Sequence, residues 1–204
     1  MTIKLTIYSD YICPWCYVGQ GVVERLKTEY PLEVDWRPFY LRPDTPPEGM
    51  DLPPHILERA AASTARLQHT ARSYGMDFVH VQRFFNTRRA HEATEYAREQ
   101  SKGEQFHWAV FHKVYGLGQD ISTWEVLRAA ATETGLDAEA MQHAVESGKY
   151  TALVQDQIAQ AQALGITGVP MYILNNRYAI VGSQPYEVFK QAIARLEAEN
   201  MHQA

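Results

Sequence analysis

Cys13-Pro14-Trp15-Cys16 sets two thiols one helical turn apart, just after a stretch in which Ile3, Leu5 and Ile7 alternate with Thr2, Lys4 and Thr6. Alternation with period two predicts a β-strand over Thr2–Tyr8. Ser9–Ile12 then reads as a turn. Pro14–Tyr30 reads as a helix, with Val18, Val22 and Leu26 on one face. Proline suits a helix's first turn, where its missing N–H would have had no intrahelical partner. Pro31 ends the helix. Leu32, Val34 and Trp36 then alternate with Glu33, Asp35 and Arg37 to predict a second strand. The product is a β-α-β unit with the CxxC at its first strand-to-helix junction.

Outward from that unit, Arg42–Pro54 is rich in proline and reads as a connector. A mostly helical region follows to about Gly148. Within it, Asn86-Thr87 precedes an amphipathic run to Gln100, Ser122-Thr123-Trp124-Glu125 reads as a capping box, and Asp137 caps a further run. Another helix is predicted over Lys149–Leu164, stopped by Gly165. Val169–Leu174 and Tyr178–Val181 then read as strands joined by a two-residue turn at Asn175-Asn176. Gly182-Ser183-Gln184 leads into a last helix from Pro185. With residues 42–148 set aside, the order is β-α-β, α-β-β-α. That is the order of elements in the thioredoxin fold, so the expectation is an α/β thioredoxin-like fold formed by residues 1–41 and 149–204, with a connector and a large all-helical insertion between them.

Bulk properties narrow the function. The chain has 204 residues, 46% of them hydrophobic, enough for a substantial core without disulfide staples. A net charge of −5 and the lack of a basic cluster argue against nucleic-acid binding, and Arg88-Arg89 is too short to change this. No apolar run approaches the roughly 20 residues that span a bilayer. The N-terminus reads as a strand and not as a signal peptide, so a cytoplasmic location is expected, where thiols are mostly kept reduced.

Cys13 and Cys16 are the only cysteines. A CxxC in this context points to a reversible dithiol/disulfide pair. The competing readings are half of a zinc site, for which no second CxxC exists, and two inert core thiols. In disulfide exchange the thiolate attacks. Cys13 belongs at the helix N-cap, where free N–H groups and the helix dipole favour negative charge, so it is the expected nucleophile. Cys16, one turn further in, is the expected resolving thiol. The second signal is Thr167-Gly168-Val169-Pro170, in which a proline opening a strand after glycine suits a cis peptide bond. The competing reading is an ordinary trans proline at a strand edge. In thioredoxin-like proteins a cis-proline at this place faces the CxxC, and that likeness implies that Val169 and Pro170 face the dithiol and that the backbone before the proline pairs with a bound peptide or glutathione as a short added strand.

Four further positions have competing readings, and Trp15 is a fifth. Asp10 either raises the thiol pKa and shuttles protons, or is a turn residue bonded to its own backbone. Trp15 either presents a flat apolar surface to substrate or simply packs. His91 either looks toward the dithiol or is structural. Ser183 and Gln184 precede a helix N-terminus, which makes them either an anion site or plain caps.

Cys-Pro-Trp-Cys-Tyr-Val-Gly, the late Gly-Val-Pro, Val-Gly-Ser-Gln-Pro before the last helix, Asn86-Thr87 with Ala90-His91, and Gly118–Ser122 together resemble the FrnE-like branch of the DsbA family. The resemblance covers nearly the whole chain. It implies thiol–disulfide oxidoreductase or isomerase chemistry with Cys13 as nucleophile, Cys16 as resolving thiol and Val169-Pro170 as the cis-proline site. Some members carry extra cysteines near the C-terminus; this chain has none, so a mechanism using a second pair does not transfer. Related kappa-class glutathione transferases and 2-hydroxychromene-2-carboxylate isomerases generally carry serine at the position of Cys13. The expected function is thus disulfide exchange with disulfide- or dithiol-containing proteins or small thiols. No metal or organic cofactor is required, and glutathione is a candidate reductant or cosubstrate. The alternatives are a glutathione-dependent isomerase or transferase and a non-catalytic peptide-binding module.

Overall fold

The computed structural model describes residues 2–201. Its elements run β1 (Ile3–Ser9), α1 (Pro14–Glu29), β2 (Leu32–Pro38), β3 (Met50–Asp51), α2 (Pro54–Ser73), β4 (Arg83–Phe84), α3 (Arg88–Glu99) and α4 (Gly103–Phe111). A π-helical turn (His112–Gly116) continues α4. Then come α5 (Trp124–Glu133), α6 (Ala138–Glu146), α7 (Thr151–Ala163), β5 (Met171–Leu174), β6 (Tyr178–Val181) and α8 (Tyr186–Met201). The main sheet has the order β2-β1-β5-β6. β1 pairs parallel with β2 from Ile3↔Leu32 to Ser9↔Pro38, and antiparallel with β5 from Leu5↔Leu174 to Tyr8↔Met171. This is a thioredoxin-like fold, with a helical insertion between β2 and α7.

The insertion also carries a small antiparallel ladder, β3 with β4, pairing Met50↔Phe84 and Asp51↔Arg83. Strands of two residues leave no alternation to read in a sequence. Two other local details differ from expectation. The N-cap of α5 is Thr123, whose hydroxyl accepts from the Val126 N–H, while Ser122 donates its hydroxyl to Asp120. The reciprocal Ser122–Glu125 box does not form, because Asp120 captures Ser122. At the β5–β6 hairpin, Asn175 and Asn176 take φ of +48° and +54°. The Arg177 N–H closes that turn on the Leu174 carbonyl, so pairing resumes at Leu174↔Tyr178 and the connection is one residue longer than expected. Asp137 caps α6 by accepting from the Glu139 and Ala140 N–H groups.

α1 bridges two hydrophobic clusters. Cys16, Tyr17 and Val18 pack with the insertion, among Leu67, Phe106, Phe111 and Val114. Val22, Val23 and Leu26 pack on the sheet with Ile3, Leu5, Tyr172 and Phe189. Every residue from Cys16 to Val23 is buried. A helix covered all round in this way is fixed by packing, which holds its N-terminus, and hence the dithiol, in one place.

His107 is buried in the insertion, stacked on Trp36 at 4.3 Å between ring centroids, with its Nδ1 3.0 Å from the Tyr11 hydroxyl and its Nε2 without a hydrogen-bond partner. Burial, assisted by His91 and Arg98, pushes its pKa well below 6.5. The unfolded chain takes up a proton at this histidine below about pH 6.5 and the folded chain does not. Its effect on stability is therefore nil above that pH and grows as pH falls. The urea midpoint should drop between about pH 7 and pH 5, and by less in His107→Asn. Equal drops in the two proteins would contradict this assignment.

Candidate active site

The sheet register brings the two sequence signals together. β1 ends at Ser9 and β5 starts beside it, with Met171 opposite Tyr8. The turn after β1 and the residues just before β5 therefore meet, although 156 positions separate them. Cys13 is the N-cap of α1, in an extended conformation (φ −95°, ψ 108°). Its N–H donates to the Asp10 carbonyl at 2.9 Å, and its own carbonyl accepts from the Cys16 N–H at 3.1 Å. The Cys13 side chain makes no capping bond. Its thiol instead donates to the Val169 carbonyl at 3.5 Å, and the Val169–Pro170 peptide bond is cis.

Both thiols are free. Cys16 is fully buried, and its pKa is pushed well above 9.0, chiefly by desolvation and then by the hydrogen bond and charge of Cys13. Cys13 is only 3% exposed, yet it lines a cavity of about 550 Å³. One wall is a face of α2, where Ile56, Arg59, Ala60, Ser63 and Leu67 recur at helical spacing. The opposite parts come from Leu41 and Arg42 in the connector, Phe78–Phe84 around β4, and Tyr115. Ile12, Pro14, Trp15 and Val169 line it beside Cys13, and Leu52 contributes as well. The Trp15 indole faces this space and carries the Arg66 guanidinium over its ring at 4.9 Å.

The remaining residues singled out in the sequence lie elsewhere. Asp10 is buried behind the dithiol turn and does not line the cavity. Its Oδ2 accepts from the Leu41 N–H at 2.7 Å, and its Oδ1 lies 3.4 Å from both the Ile12 N–H and His91 Nε2. It thus ties the turn to the connector and to α3. His91 reaches Asp10 and packs on Tyr11 and Tyr40, not on the cysteines. Ser183 and Gln184 stand outside the cavity, in a loop whose Gly182 N–H donates to the Pro170 carbonyl at 2.8 Å. Gln184 donates back to the Val181 carbonyl.

Sequence reasoning passed over Tyr115. It sits on the π-helical turn, stacks on Phe78 and lines the cavity that contains Cys13. Burial pushes its hydroxyl pKa well above 10.0, and the cysteines and Asp10 add to the effect. A π turn has no compositional signature, although such turns gather at functional sites. Among the described residues, no group of three or more His, Cys, Asp or Glu side chains is placed to hold a metal ion, and no helix is long and apolar enough to cross a membrane.

A thioredoxin fold that presents a CxxC at the start of α1, facing a cis X–Pro bond, defines a class of dithiol proteins. The family model for the DSBA-like thioredoxin domain matches residues 4–194, and the chain belongs to that family. It is 30% identical to the uncharacterised YwbO protein of Bacillus subtilis, over 95% of this chain and 97% of that one. It is 26% identical to a 2-hydroxychromene-2-carboxylate isomerase of Sphingobium xenophagum, over 87% and 91% of the two chains. The solved structure of a probable DsbA oxidoreductase from Streptomyces coelicolor superposes with a TM-score of 0.88 at 27% identity, covering 97% of this chain and 91% of that one. The proteins it is similar to thus include one described as a probable oxidoreductase and one described as an isomerase.

Proposed function

We propose that this protein is a thiol–disulfide oxidoreductase, with disulfide isomerisation as a side path of the same chemistry. The observation that carries the reading is the placement of Cys13 Sγ, at the α1 N-terminus, 3.5 Å from the Val169 carbonyl and on the wall of the cavity. Cys13 thiolate attacks one sulfur of a substrate disulfide. A bond forms between Cys13 and that sulfur, and the other sulfur leaves as thiolate. Cys16 then loses its proton and attacks Cys13 Sγ, forming the Cys13–Cys16 disulfide and releasing the second substrate thiolate. The substrate gains two electrons and the dithiol loses two. Run backward, the steps oxidise a dithiol. If Cys16 is slow, the mixed disulfide can reshuffle. Val169 and Pro170 offer backbone beside the attacking sulfur, and Trp15 offers an apolar face. Glutathione serves as a small thiol able to reset the couple.

The test is a redox titration of the Cys13–Cys16 couple in glutathione buffers, with free thiols trapped by an alkylating reagent. A two-electron transition is expected. A midpoint near about −270 mV supports a reductase, and one near about −120 mV an oxidase or isomerase. Absence of an intramolecular disulfide at every poise would remove this reading and promote a glutathione-dependent isomerase.

A further inference from the structure

Resting on the reading of Cys13 as the attacking thiol, we propose that the cavity selects small-molecule disulfides in which an apolar body carries a carboxylate or another anionic group. The chain as a whole is acidic, at −5. The cavity is not. Its charged lining side chains are Arg42, Arg59 and Arg83, and no Asp or Glu lines it. Arg83 is answered by Asp51 at 2.6 Å. Arg42 lies over the Phe84 ring at 5.1 Å, and Arg66, two turns along α2 from Arg59, lies over Trp15. Among the described residues, no carboxylate pairs with Arg42, Arg59 or Arg66; Asp44 and Glu58, the acidic residues nearest Arg42 and Arg59 in sequence, line no part of the cavity. Arg42 and Arg59 therefore line the cavity that contains Cys13 without carboxylate partners, and Arg66, also without one, lies over the lining residue Trp15. Guanidinium groups on aromatic faces are held in place and keep their donors free for a ligand.

The rest of the lining is mainly apolar, with Ile12, Trp15, Leu52, Ile56 and Phe78 contributing. A concave site of about 550 Å³, apolar within and cationic at its polar points, has the dimensions and chemistry of a small-molecule pocket. Both parts of the ligand then have a place. The apolar body displaces water from the cavity, the anion meets Arg42 or Arg59, and the disulfide reaches Cys13.

The experiment is a single-turnover oxidation of pre-reduced full-length protein by two aromatic disulfides, dithiobis(nitrobenzoate), which bears two carboxylates, and neutral dithiodipyridine. Each is followed by the thiol it releases. Because the readout is the ratio of the two rate constants, the intrinsic reactivities cancel between protein variants. The ratio should fall about tenfold in the Arg42→Gln/Arg59→Gln variant, as expected for two lost charge contacts on a partly solvated rim. It should be largely kept in Arg42→Lys/Arg59→Lys, and should decline with added salt in the wild type. A ratio that is the same in wild type and the Gln variant, or that ignores salt, overturns the selectivity. Failure of neutral dithiodipyridine to leave Cys13 and Cys16 oxidised, with two equivalents of thiol released, is a different result. It removes the dithiol reading itself, and this inference with it.

Discussion

Serine at position 16 is expected to stop turnover and leave the substrate covalently attached at position 13. The Cys13 attack depends on nothing that Cys16→Ser removes, so the mixed disulfide still forms. Its resolution requires a sulfur nucleophile one helical turn away, and a hydroxyl cannot supply it. Turnover of a small disulfide should fall by on the order of a thousandfold, as it does when one member of a catalytic unit is lost. Intact mass should show one substrate half per chain, removable by dithiothreitol. Cys13→Ser should show neither turnover nor adduct. The wild type adds a pH signature. Burial holds the Cys16 pKa well above 9.0, so Cys16 is protonated at neutral pH. Resolution should therefore quicken about tenfold per pH unit across the neutral range, because only the thiolate attacks. An isomerase that uses Cys13 merely to position glutathione makes the opposite forecast, with Cys16→Ser keeping its activity and collecting no adduct. A Cys16→Ser protein of that kind would end the oxidoreductase reading.

The parts of this fold that are legible in the sequence are those fixed by local periodicity. β1, α1 and β2 are read from alternation, a first-turn proline and a terminating proline, and each lies within two residues of its predicted ends. Together they locate the dithiol at the head of α1. The cavity is not legible in the same way. Its walls come from Arg42, the Ile56–Leu67 face of α2, the Phe78–Phe84 segment and Tyr115, four pieces of chain brought together only by tertiary packing. Periodicity shows that a helix has a face, but it cannot say what that face looks at. Asp10 illustrates the same limit. Its neighbours in sequence predict a turn residue, and it does bond the Ile12 N–H, but its second oxygen serves Leu41 and its first also meets His91. The charge character of the cavity is hidden as well, since a chain of net charge −5 gives no hint that arginines line the cavity that contains Cys13.

Gly19→Ala should destabilise the protein even though alanine is the better helix former. Gly19 lies inside α1, where replacing glycine with alanine ordinarily gains about 1 kcal/mol. Here an added Cβ would overlap the hydroxyl of Tyr172, a fully buried residue of β5 whose ring is held edge-on by Phe189 at 4.9 Å. Neither the sheet nor the buried helix can yield freely, and overpacking of this kind costs about 1–3 kcal/mol. The net expectation is a loss of up to about 2 kcal/mol, read from the denaturant midpoint. The cause can be isolated. Past the hydroxyl, the next Tyr172 atom, Cζ, would stand 3.5 Å from the new methyl group, an ordinary contact. Tyr172→Phe should therefore rescue Gly19→Ala, leaving the double variant at least as stable as Tyr172→Phe alone. The cycle should give a coupling energy of about 1–3 kcal/mol. Additive losses would show that the close approach of α1 to β5 is not what position 19 protects. Because the dithiol sits at the head of this same helix, the rescued variant should also regain the wild-type rate of Cys13 alkylation, whereas Gly19→Ala alone shifts it.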